Sequence, residues 1–230
     1  MIEPWLIDEL AHAGQEHLDP SFVAGYDRKQ GRPDPAPDVA VLRGHGLGAD
    51  ATVVDLATGT GRFALAAARE FGRVVAADVS PAMLGFLREQ AAEFPNLEVV
   101  RAGFLSYEHT GPRADAVYTR NALHQLPDFW KGIALDRIAG MLRPGGVLRV
   151  HDLIYDFAPA EAAGVFERWF AGAAGDPAQG YTADDYAEHI RIEFSTYRWL
   201  FEPILAAAGF EIETVDFVAS LYGTYTCVKR

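Results

Sequence analysis

The chain has 230 residues, half of them hydrophobic and 23% charged, with 32 acidic against 20 basic side chains and a net charge of -12 at neutral pH. That length and composition suit one soluble domain with a small helical addition, and the acidic surface repels phosphate backbones, so no nucleic-acid partner is expected. The single cysteine, Cys227, excludes an internal disulfide and a cysteine-rich metal site and suits a reducing, cytoplasmic setting. The opening "MIEPWLIDEL" carries acids where a signal peptide needs basic residues, and no apolar run has the length of a membrane span, so no membrane partner is expected.

In chain order, Trp5, Leu6 and Leu10 sit at helical spacing, predicting a helix over 4–14. Asp19-Pro20 opens a second helix through 29, with Asp as N-cap and Pro at the first position. The breakers of "GRPDPAPD" predict a loop, followed by a short helix over 39–45 that stops at Gly46. From there strands and helices alternate. Strands are predicted over 52–56, 73–78, 97–102, 114–119 and 147–151, with helices over 62–71, 81–94 and 129–141 between them. This order implies a mostly parallel sheet with helices on both faces.

After Asp152 the alternation stops. Helices are predicted over 159–172, from Thr182 with Asp185 at capping-box spacing, and over 196–208 with a kink or break at Pro203. Strands over 211–218 and 222–228 close the chain as an antiparallel hairpin. The organisation expected is an N-terminal helical cap (1–50), a ligand-binding core (51–152), a helical insertion and last helix (153–209) and a C-terminal hairpin (210–230), all in one domain.

The loop "VVDLATGTGRFA" is the first candidate site. Gly59, Gly61 and Ala64 match the G-x-G-x-x-G/A turn of a dinucleotide pocket, so an NAD-dependent oxidoreductase is one reading. In that fingerprint the first glycine follows the strand at once, whereas here Ala57 and Thr58 intervene and Asp55 ends the strand. An acid there repels a pyrophosphate but favours a cationic ligand such as S-adenosylmethionine, whose carboxylate can use the helix start at Arg62. Asp78 ends the next strand, where a carboxylate can accept both ribose hydroxyls, while Ser80 is the better cap for the helix beginning at Pro81.

"VVDLATGTG", "VVAADVSPAML", "DAVYTRNALHQL" and "MLRPGGVLRV", in this order and spacing, resemble the class I S-adenosylmethionine-dependent methyltransferases, in the small-molecule branch of that superfamily. The likeness runs from 51 to 152 and more loosely through "LAAAGFEI" to the C-terminus. It implies a Rossmann-like α/β three-layer sandwich on a seven-stranded, mostly parallel sheet whose last strand is antiparallel. It further implies methyl transfer to a small-molecule acceptor, with S-adenosylhomocysteine as product. A non-catalytic S-adenosylmethionine-binding protein is the other alternative.

Carried over by residue, the resemblance puts Asp55, Thr58, Gly59 and Gly61 around the methionine part and Asp78 on the ribose. Val79 and Met83 flank the adenine, Gly103 and Phe104 meet its edge, and Asn121 and Ala122 lie under the sulfonium side. Tyr26, followed by Asp27, matches the Tyr-Asp of an N-terminal segment that folds over the cofactor. Two departures stand out. Ala57 replaces a glycine, a mild change if its φ is negative, and Phe104 stands where an acid often meets the adenine amino group, with Ser106 or Tyr107 expected to compensate.

His124, after the fourth strand, is the candidate general base or substrate hydrogen-bond partner, against a packing role; His151 and Asp152 are a second possible pair. His12, His17, His45, His109 and His189 show no zinc-ligand spacing, and Asp152 with Asn121 is the only arrangement suggestive of a divalent ion, so no metal is expected. "RNAL" departs from the Asn-Pro-Pro-Tyr type of loop of nucleic-acid amino methyltransferases, which again favours a small acceptor. The aromatic residues between Trp169 and Phe201 are expected to form a subdomain core and to line part of an apolar pocket. The acceptor atom and the oligomeric state are left open.

Overall fold

A computed structural model describes residues 4–230, without the side chains of Gln15 and Glu16. Seven strands form one sheet in the order β3-β2-β1-β4-β5-β8-β7: β1 (Thr52–Leu56), β2 (Arg73–Asp78), β3 (Leu97–Arg101), β4 (Ala114–Arg120), β5 (Leu142–Tyr155), β7 (Phe210–Val218) and β8 (Tyr222–Lys229). A two-residue strand, β6 (Thr196–Tyr197), pairs with the end of β5. β8 runs antiparallel between β5 and β7, and the other pairings in the sheet are parallel.

Neighbouring residues on a strand face opposite ways, so the apolar runs feed two cores. Val54, Leu56, Val75 and Val117 join α5 (Asp128–Met141) and α8 (Arg198–Ala207) on one face. Val53, Val74, Ala76 and Ala116 join α2 (Ala36–Gly44), α3 (Arg62–Ala67) and α4 (Pro81–Ala91) on the other. The sheet therefore presents the carboxyl ends of β1, β2 and β4 along one rim, the usual position for a ligand in such folds.

Local signals locate most starts. Asp19 caps α1 (Pro20–Lys29) through the Ser21 amide at 2.8 Å, and Ser80 caps α4 through the Met83 amide at 3.1 Å. Thr182 and Asp185 form the reciprocal box that opens α7 (Ala183–Ile192). The hairpin turn is Ala219-Ser220, both with positive φ (54° and 59°), as a tight turn matched to strand twist requires.

Several expectations are corrected. Residues 4–14 do not form an α-helix: there are only 3-10 turns at Glu9–His12 and Gln15–Leu18, because Asp8 caps Leu10 locally and Gly14 turns the chain at φ 72°. α2 starts inside the proline-rich run, since Pro37 at its first turn sacrifices no intrahelical bond. β5 starts earlier than expected, with Gly145 (φ 71°) in a bulge opposite Ala114–Ala116, and runs on to Tyr155, where β6 extends the pairing. α8 is continuous through Pro203. α6 (Ala162–Ala171) follows a 3-10 turn at Pro159–Glu161.

The aromatic insertion divides. Phe201 is fully buried against Tyr225 in the main core, while Trp169 stacks on Tyr186 at 4.2 Å and packs with Tyr155, Phe166 and Tyr222 in a separate cluster. Trp199 stays 59% exposed.

Candidate functional site

Two adjoining pockets open on the rim where β1, β2 and β4 end, sharing Tyr26, Ala57, Gly59, Arg120 and Asn121 as common walls. The first also takes in Asp55 and Thr58, the second Asp78, Val79, Met83, Gly103, Phe104 and Ala122. Eleven of the expected cofactor residues thus line one cleft. Gly61 does not: it holds φ 83° at the start of α3, and a Cβ there would lie 2.2 Å from Leu87 Cδ1. Positive φ and the close approach of Leu87 both call for glycine there.

The loop after β1 is held from both sides. Thr58 donates to Asp55 at 2.6 Å, and the Gly59 amide donates to Asp78 Oδ2 at 2.9 Å. Ala57 has φ 59°, so the condition for a mild replacement is not met; an alanine in the left-handed region costs about 1–2 kcal/mol. Ala57→Gly is therefore expected to raise unfolding free energy by about 0.5–1 kcal/mol after the entropy of glycine is subtracted. Chemical denaturation of the two proteins checks this, and an equal or lower midpoint for the glycine variant contradicts the strain argument.

Of the carboxylates that line the cleft, three have their pKa raised by burial. Asp55 is pushed up to about 7, first by burial and further by the charge of Asp78, against the Thr58 hydroxyl. Asp78 is raised by burial, against the amides of Ser80 and Gly59. The third is Glu9, which the sequence reading missed. Its carboxylate accepts from the Leu105 amide (3.0 Å) and the Ser106 hydroxyl (2.9 Å), beside Gly103 and Phe104. An acid from the N-terminal segment thus stands beside position 104. Ser106 acts by holding Glu9, while the Tyr107 hydroxyl engages His109. Desolvated acids in one cleft favour a ligand that carries positive charge.

Arg120 lines both pockets, and its buried Nε has no hydrogen-bond partner. The roof is made by α1 and the insertion. Asp27 accepts from Thr60 at 2.5 Å, the Gln30 amide donates to the Tyr181 hydroxyl at 2.7 Å, and Lys29 lies 3.7 Å from Asp185.

His124 and His151 differ from expectation. Residues 151 and 152 are consecutive on β5 and so point to opposite faces. His151 pairs with Asp38 (2.7 Å) and Thr224 (2.8 Å), and Arg149 reaches the same Asp38 at 2.9 Å. Asp152 instead binds His124 Nδ1 at 2.6 Å and accepts from the amides of Ala122 and Leu123, so it does not share an ion site with Asn121. His124 is 6% exposed, lines neither pocket, and has Glu193 3.2 Å from its Nε2. Burial opposes its charge, but Asp152 and Glu193 outweigh that and push it up to about 9. With a carboxylate on each ring nitrogen it is not placed as a general base for a substrate in the cleft. His189, one turn before Glu193, packs edge-on against His124 with ring centroids 5.0 Å apart.

A methyltransferase-domain family model matches residues 53–146. No curated protein matches the chain in sequence. Among solved structures, the magnesium protoporphyrin IX methyltransferase of Synechocystis PCC 6803 with bound S-adenosylmethionine is similar at TM-score 0.66 and 15% identity, over 99% of this chain and 100% of that one. A SAM-dependent methyltransferase from Aquifex aeolicus aligns at TM-score 0.63 and 19% identity, over 92% and 99% of the two chains. A chain of the Haloferax volcanii complex that contains the Trm112 methyltransferase activator aligns at TM-score 0.69 and 17% identity, over 93% and 97%. At these identities the likeness is one of fold. Over residues 53–146 the chain is thus similar to a methyltransferase domain, and in fold it is similar to S-adenosylmethionine-dependent methyltransferases.

Proposed function

We propose that this enzyme transfers a methyl group from S-adenosylmethionine to a small-molecule acceptor, and that the cleft of Glu9, Asp55, Asp78 and Arg120 holds the donor. The observation that carries this reading is the match between four chemical features and four groups. Glu9 accepts from the adenine amino group beside Gly103 and Phe104. Asp78 accepts from the ribose hydroxyls, with Val79 and Met83 against the adenine. Asp55 faces the ammonium, and the free Nε of Arg120 takes the carboxylate. Tyr26, Thr58, Gly59, Asn121 and Ala122 complete the walls. A nicotinamide dinucleotide fits the same cleft poorly, because its pyrophosphate would meet Asp55.

When bound, S-adenosylmethionine supplies a methyl group activated by its sulfonium charge. The protein's part is to align the acceptor and keep water away. Contacts between α1 and the insertion, Gln30 to Tyr181 and Lys29 to Asp185, bridge the cleft entrance. Such a roof suits a small acceptor rather than a polymer, in accord with the net charge of -12. Among the described residues no helix is long and apolar enough to cross a membrane, and we place the reaction in the cytoplasm.

Thermal-shift titration tests the reading. A ligand that binds only the folded form adds about 2.7 kcal/mol at a hundred times its Kd. S-adenosylmethionine and S-adenosylhomocysteine are expected to raise the melting temperature while NAD and NADP leave it unchanged. A rise with the nicotinamide nucleotides alone would overturn the assignment of the cleft.

A further inference from the structure

We propose that His124, His189 and Glu193 form a binding site for one divalent first-row transition-metal ion, zinc in the first instance, beside the methyl-transfer cleft. One nitrogen of each imidazole and one oxygen of the carboxylate lie within 4.8 Å of one another. Ligand atoms ~2.0–2.2 Å from a tetrahedral zinc are roughly 3.3 Å apart, so small side-chain adjustments close the set. Glu193 Oε2 is buried and points at both rings, toward His124 Nε2 and His189 Nδ1.

Each imidazole is also held from behind. His124 Nδ1 binds Asp152 at 2.6 Å, and His189 Nε2 meets the Ser195 hydroxyl at 2.8 Å. With Nδ1 held by Asp152, His124 directs Nε2 toward Glu193, and an ion bound there takes the place of the Nε2 proton. A partner on the far nitrogen that orients the near one is the arrangement found around metal-bound histidines. Asp152 is itself fixed by the amides of Ala122, Leu123 and Leu153. Two imidazoles and one carboxylate suit zinc, iron(II), cobalt or nickel better than magnesium or calcium, which prefer all-oxygen shells.

Three protein ligands leave a position open on a tetrahedral ion. Gln125 connects the two sites: it lines the cleft, and its amide nitrogen lies 3.3 Å from His124 Nε2. An acceptor bearing an oxygen donor is the ligand class that this open position would take, held next to the donor cleft. The inferred metal site does not depend on the methyl-transfer reading, and its readout is metal content.

The test uses the full chain, stripped with chelator and re-equilibrated with zinc(II) or cobalt(II). Elemental analysis after desalting is expected to find one ion per chain, and the cobalt form to show visible absorption of a low-coordinate site. His189→Gln and, separately, Glu193→Gln are expected to lower zinc affinity at least about 100-fold in competition with a chromophoric chelator. Circular dichroism and the S-adenosylmethionine thermal shift identify which variants remain folded. Either folded variant suffices, and the wild-type stoichiometry is decisive if neither folds. Wild-type protein that retains no ion after desalting, or folded variants that bind zinc as tightly as wild type, would overturn the proposal and leave the cluster as a proton-bridged ion pair. S-adenosylmethionine stabilisation in protein that holds no ion separates that failure from failure of the methyl-transfer reading.

Discussion

Asp78→Asn is expected to weaken S-adenosylmethionine binding by about 100-fold, close to 3 kcal/mol. Asp78 ends β2 with each oxygen already accepting one amide: Oδ1 takes Ser80 N at 2.8 Å and Oδ2 takes Gly59 N at 2.9 Å. Each carboxylate oxygen retains a second lone pair, and these are what the ribose hydroxyls use. Asparagine has one acceptor oxygen and turns its NH2 toward an amide that is itself a donor. The variant thus loses charge-assisted bonds to the ribose and leaves one loop amide unsatisfied. The second defect costs about 1–3 kcal/mol of stability without ligand. Isothermal titration calorimetry reads the first effect and denaturant melts the second. Affinity within twofold of wild type would remove Asp78 from the ribose.

The second large effect is in pH. Asp55 titrates near an ordinary carboxyl value of 3.8 when unfolded and at about 7 in the folded protein without ligand. A folded pKa above the unfolded one means that the native state binds the proton more tightly. The stability associated with protonated Asp55 is therefore present in full below pH ~4 and is lost as pH rises toward ~7, by at most about 4 kcal/mol. A cationic ligand has the opposite preference, because it pairs with the ionised form. S-adenosylmethionine binding is expected to strengthen from about pH 6 to about pH 8 and to release protons near neutrality. Asp55→Asn is expected to flatten both trends, to raise the melting temperature of the unliganded protein at about pH 8, and to bind S-adenosylmethionine at least 10-fold more weakly, roughly 1.4 kcal/mol. Calorimetry in two buffers of different ionisation enthalpy counts the protons. Equal pH slopes in the two proteins would show that another group carries the linkage.

The layout of the cleft was legible in the amino-acid sequence because its signals are local. Apolar runs of strand length carry Asp55 and Asp78 at their carboxyl ends, caps at Asp19, Ser80 and Thr182 set helix starts, and glycines at 59 and 61 permit the turn. Each depends on residues within a few positions, which is the range over which backbone preference and side-chain capping act. Hence β1 and β2 begin and end where their residues predict, and eleven of twelve expected contact residues meet at one rim.

What the tertiary structure alone decided lies where two distant segments share a buried space. Glu9 reaches Leu105 across 96 positions from a segment with no regular helix to announce it. His189 shows no zinc-ligand spacing in the sequence and Glu193 was not singled out there; only the packing of the insertion against the turn after β4 aims both at His124. His151 and Asp152 were separated by the alternation of a strand that proved longer than its apolar run, because β8 and β6 supply hydrogen-bond partners beyond it. Ala57 was carried into a left-handed conformation by the loop closed around it, through Thr58 N to Ala77 O and Gly59 N to Asp78. Local preference specifies the elements; burial of polar groups, which must find partners wherever the fold brings them, specifies the site.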